Sequence, residues 1–142
     1  MSNRILTAVS ILGAVLASVA AAGEYEKIDL LAPRGDPAAG REAFVALSCT
    51  SCHAVQGDLE LKRPVASMPV PVLGPDLAKL SPGKLASAMV SPSHTISKEV
   101  QEATAGELSP MGDLTESMTV RQLVDLVAYL RSLGKAAVRP GG

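Results

Sequence analysis

Apolar residues recur at helical spacing in four stretches of the chain, and one long apolar run precedes them all. Between Asp36 and Leu47, the residues Gly40, Ala43, Phe44 and Leu47 fall on one face of a helix. Asp36 is placed to cap it and Pro37 to open it, where a missing N–H costs nothing. The pattern predicts helix from Pro37 directly into Cys49. A short second helix is expected after Ser81-Pro82, with Leu85, Ala88 and Met89 on one side and Ser91-Pro92 as its stop. A third runs from Lys98 to Ala105, capped by Ser97 and ended by Gly106. The last is the clearest. Thr119 and Gln122 form a capping box, with Met118 and Leu123 at the two positions of a hydrophobic staple. Leu123, Val124, Val127, Leu130 and Leu133 supply its stripe. Gly134 is expected to close it, with Arg131 and Lys135 near the negative end of its dipole. The expected fold class is all-α.

What lies between the helices is irregular. The segment from His53 to Leu73 holds Gly57, Pro64, Pro69 and Pro71, with Val and Met interleaved. Proline at this density blocks regular helix and favours extended, looped chain. The loop ends at Gly74-Pro75-Asp76-Leu77.

At the amino end, Arg4 precedes an uncharged apolar run from Ile5 to Ala22 that finishes in Ala20-Ala21-Ala22. Such a run with a small-residue cleavage site reads as a secretory signal peptide. An uncleaved anchor is the alternative, weakened by the run's Ala, Ser and Gly content and its bare sufficiency to span a bilayer. The expected organisation is a leader over 1–22, a linker arm over 23–35, one domain over 36–135 and a frayed tail over 136–142. Export to the periplasm follows from the leader.

The chain has 142 residues and a formal net charge of −1, so nucleic acid is not an expected partner. It has no Trp, one Phe and two Tyr. A core this poor in large rings gains from burying a large apolar cofactor.

The candidate chemistry is Cys49-Thr50-Ser51-Cys52-His53. A C-x-x-C-H run reads as a covalent haem attachment site, in which two thiols add to the porphyrin vinyl groups and the histidine binds iron. Three plainer readings compete. A disulfide across so small a loop gains the least entropy and invites strain. A redox dithiol belongs near a βαβ pattern, and no strand-rich stretch surrounds it. Zinc needs four ligands, and only His94 remains as a further histidine. For a haem, the second iron ligand is normally a thioether or an imidazole. Met118 is accounted for by the staple and Met89 by a helix face. Met111 is favoured, because it sits in a loop just before the capped last helix. His94 and Met68 remain as alternatives. The Gly74-Pro75 turn fixes a carbonyl direction suited to accepting a hydrogen bond from the other ring nitrogen of His53, or it is turn punctuation alone.

With these residues together, the stretch from Asp36 to Gly134 resembles a class I c-type cytochrome. The resemblance rests on Gly40 and Phe44 in the first helix, the Cys49–His53 motif, Gly74-Pro75, Met111 and the Val127-Ala128-Tyr129-Leu130 run. It implies a cytochrome c fold, with three to five helices and a long proline-rich loop around one haem c held through Cys49 and Cys52. The first and last helices would cross at Gly40, Phe44 and Tyr129. The Pro75 carbonyl would support His53, and Met111 would be the distal ligand. The implied function is one-electron transfer between redox partner proteins, with Lys62, Arg63, Lys79 and Lys84 as docking charges. The alternative is the haem subunit of a larger periplasmic or membrane-associated oxidoreductase.

Overall fold

The computed structural model describes residues 28–58, 60–61, 70–94, 96–105 and 108–136. The leader, Lys62, Arg63, Met68, Gly106 and the tail from 137 onward lie outside the described residues. Among the described residues four helices form: α1 (Pro37–Ala46), α2 (Pro82–Val90), α3 (Lys98–Thr104) and α4 (Val120–Ala136). Among the described residues the only β pairing is an isolated parallel bridge between Val55 and Leu73. The fold is all-α.

Each helix starts where its local chemistry directs. The Asp36 carboxylate accepts from the Ala38 amide at 2.8 Å, and Ser81 and Ser97 Oγ accept from the amides of Lys84 and Val100. At α4 the capping box closes in both directions: Gln122 Oε1 accepts from the Thr119 amide at 2.9 Å, and Thr119 Oγ1 from the Gln122 amide at 3.1 Å. These bonds satisfy amides that have no partner within the helix.

The frame is α1 crossed on α4. Gly40 lies so near α4 that a Cβ there would overlap the Asp125 carbonyl and stand 2.7 Å from Tyr129 Cβ. Phe44 and Tyr129 meet as a tilted pair with ring centroids 5.7 Å apart, worth about 0.5–1.5 kcal/mol beyond the area they bury. Leu85 and Met89 of α2, with Leu126, Leu130 and Leu133 of α4, complete the core. The first and last helices therefore meet at Gly40, Phe44 and Tyr129.

Three details differ from expectation. First, α1 stops at Ala46, and Ser48 takes a left-handed conformation (φ 59°) that redirects the chain before Cys49. Second, Ala88 is exposed, so α2 buries only the Leu85–Met89 row. Third, Gly134 does not close α4, which continues to Ala136. Its glycine is required by packing: a Cβ would overlap Ala78 and lie 3.1 Å from the Pro75 carbonyl oxygen, both in a 3₁₀ turn over Pro75–Lys79.

Candidate functional site

The redirection at Ser48 delivers the cysteine motif as a single 3₁₀ turn over Cys49–Ser51. The Cys49 carbonyl accepts from the amides of Cys52 (3.2 Å) and His53 (2.9 Å), so both thiols and the imidazole emerge from one tight turn. Cys49 and Cys52 are free, half-buried thiols. Burial is the main influence on Cys49 and pushes its pKa up. A redox-active dithiol needs a lowered thiol pKa, so this environment suits a buried attachment point better than an exchanging nucleophile. Among the described residues no group of three or more His, Cys, Asp and Glu side chains is placed to hold a metal ion.

His53 is half-buried, and its Nδ1 lies 3.0 Å from the Pro71 carbonyl oxygen. A carbonyl can only accept, so Nδ1 carries the proton and donates, and Nε2 keeps its lone pair for a ligand. The supporting carbonyl is thus that of Pro71, not Pro75 as expected. The Pro75 carbonyl is turned toward α4 at Gly134, while Pro71 is brought alongside His53 by two backbone bonds. The Gln56 amide donates to Leu73 O and the Leu73 amide to Ala54 O, each at 2.8 Å.

Met111 is half-buried and packs against the same core cluster that Cys49 touches, although 62 positions separate them in sequence (111 − 49). Its loop is held by polar bonds: Ser109 Oγ accepts from the Met111 amide at 3.2 Å, and Ser93 Oγ from the Ser109 amide at 3.0 Å. Met118 and Leu123, the two staple positions, both pack on the core. His94 is exposed, and its Nδ1–H donates to Ser91 O at 2.7 Å within its own loop.

The family model for cytochrome c matches residues 37–134, well over half of the chain. The chain belongs to the cytochrome c family. No curated protein and no solved structure is similar enough to match it. This cytochrome domain is a haem-binding electron-transfer module, and Cys49 and Cys52 are the attachment pair of its covalent haem c.

The residues present fit that group. Two adjacent thiols and an imidazole with its Nδ1 already engaged are the donor set a haem c needs on one side. Leu47, Val55, Leu73, Leu77 and Val127 are only half-buried against the core, leaving apolar surface that a bound porphyrin would cover.

Sequence reasoning missed a cluster behind the motif. Arg41 of α1 grips Asp58 with two parallel bonds, Nε to Oδ2 at 2.6 Å and Nη2 to Oδ1 at 3.0 Å, and Nη2 also reaches Glu60 at 3.1 Å. The Tyr129 hydroxyl of α4 donates to Asp58 Oδ2 at 3.3 Å. Arg41 holds the Asp58 carboxyl below its ordinary range. Burial first, then the Asp58 charge, pushes the Tyr129 phenol up to about 12. No local signal marks this cluster, since its members are 17 and 71 positions apart. Of the expected docking charges, Lys79 is paired with Asp76 at 2.6 Å and Lys84 is exposed; the other two lie outside the described residues.

Proposed function

We propose that this cytochrome is an exported, periplasmic electron carrier whose haem iron is bound by His53 and Met111. When bound, the haem supplies a one-electron couple and passes that electron between protein partners with no bond made or broken on the chain. The polypeptide's work is to keep the ligands fixed. The Pro71 carbonyl orients the imidazole and raises its basicity. The Ser93–Ser109–Met111 bonds hold the thioether loop. Thioether ligation would raise the potential, and an iron held by both His53 and Met111 would offer no position to a substrate.

The observation that carries this reading is the contrast between the two distal candidates. Met111 packs against the core cluster that Cys49 also touches, whereas His94 is exposed with its ring bonded to its own loop. The periplasmic location rests on the leader; among the described residues no helix is long and apolar enough to cross a membrane. Spectra of the purified protein test the carrier reading. It requires low-spin iron in both oxidation states and no carbon monoxide adduct at neutral pH. A high-spin ferrous form that takes up carbon monoxide would mean an open site and an enzyme.

One observation favours the subunit alternative. Ile28, Leu30 and Leu31 on the arm ahead of α1 are 78%, 64% and 102% exposed, an apolar strip suited to a fixed partner. Gel filtration of protein drawn from its native host separates the two. A lone small species supports the carrier, and co-elution with a larger redox complex supports the subunit.

A further inference from the structure

The support for His53 is itself supported at a distance. Its hydrogen bond goes to Pro71, an exposed residue whose carbonyl water can also reach. Such a bond persists only if the two segments are held in register. Register is set by the Val55–Leu73 bridge and its two 2.8 Å bonds. Each end of that bridge is two residues from a partner in the hydrogen bond, Val55 from His53 and Leu73 from Pro71. Beyond it comes Gly57, at φ +88° in open space, a position that by itself fixes no direction for the chain. The next residue is Asp58.

Asp58 is where the segment is tied to the helical frame. Arg41 and Tyr129 reach it from α1 and α4, the two helices that cross at Gly40. The guanidinium–carboxylate fork fixes angle as well as distance, which a single point charge does not. The Asp58 side chain is only 16% exposed.

We propose that the Arg41–Asp58 pair is a positioning element for the axial imidazole, setting the His53–Pro71 hydrogen bond, and through it the iron's reduction potential, by way of the Val55–Leu73 bridge. This rests on the reading of His53 as an iron ligand. A proton donated firmly from Nδ1 makes Nε2 a stronger donor and favours ferric iron. Loosening the pair weakens that donation and raises the potential.

Charge alone gives a different pattern, which makes the inference testable on the haem-loaded protein with Arg41→Lys, Arg41→Gln and Asp58→Asn. Arg41→Lys keeps the charge and loses the fork. The two neutralising variants change the net charge in opposite senses. Positioning requires all three to raise the potential, and all three to speed exchange of the His53 Nδ1 proton in ferrous-state NMR. Through-space charge leaves Arg41→Lys unchanged and moves the other two in opposite directions, with Nδ1 exchange unaltered; that result, or no shift at all, overturns the proposal. Where a variant fails to mature, Tyr129→Phe removes one bond to Asp58, keeps the packed ring and carries the same expectation at smaller size. The ligand reading fails separately: His53→Ala would then retain the parent's low-spin spectrum.

Discussion

The Asp125 carboxylate accepts a hydrogen bond from the Asp36 amide at 2.8 Å, joining residues 89 positions apart. Asp36 is the cap of α1, and Asp125 lies on the buried face of α4, 6% exposed. One residue thus anchors the start of the first helix on the last, one turn before Gly40 meets the same stretch of α4. This closes the frame from which the cysteine turn projects. Removing the acceptor leaves a part-buried amide unpaired, at a cost of about 1–3 kcal/mol. Asp125→Ala should lose that much in guanidinium unfolding of the haem-loaded protein, and Asp125→Asn, which keeps a carbonyl acceptor, should recover most of it. Equal losses in both variants would show that the bond is not what matters.

Gly40 makes a sharper case, because two effects of known sign compete. Ala in place of Gly inside a helix gains about 1 kcal/mol in propensity. Here the added methyl meets the Asp125 backbone, which cannot swing aside, and overpacking of a tight contact costs about 1–3 kcal/mol. The clash should win. Gly40→Ala is expected to unfold at lower denaturant than the parent, and a variant as stable as the parent would mean that α1 and α4 can separate freely.

Stability should fall at both extremes of pH through one cluster. Asp58 has a depressed pKa, chiefly from the Arg41 bonds, so its contribution is full above the ordinary carboxylate range and is lost as pH falls through the folded value. Tyr129 has a raised pKa, so its contribution is full below 10.0 and is lost as pH rises toward about 12. Thermal melts across pH should therefore show a smaller acid loss in Asp58→Asn and a smaller alkaline loss in Tyr129→Phe. An unchanged alkaline limb in Tyr129→Phe would dismiss the phenol as its source.

The parts of this molecule that were legible in its sequence are those whose causes are local or periodic. The Thr119–Gln122 box operates over three residues, and the face of Gly40, Ala43 and Phe44 repeats with the helix. The cysteine motif is contiguous, and the family match covers the domain it organises. What escaped depends on distant chain. Gly134 reads locally as a helix stop, and only Ala78 and Pro75 packed on it explain why a glycine stands inside the helix. Pro71 is one of several prolines in a loop, distinguished by a backbone bridge rather than by any side chain. Arg41, Asp58 and Tyr129 each read as ordinary surface or core residues until the fold brings them together.

The ligation of the iron is the claim on which the rest turns, and the ferric near-infrared spectrum addresses it most directly. The parent should show the weak sulfur-to-iron charge-transfer band of a thioether ligand, and Met111→Ala should lose it while keeping the haem covalently attached. A band that survives in Met111→Ala, or that is absent from the parent, would contradict the assignment.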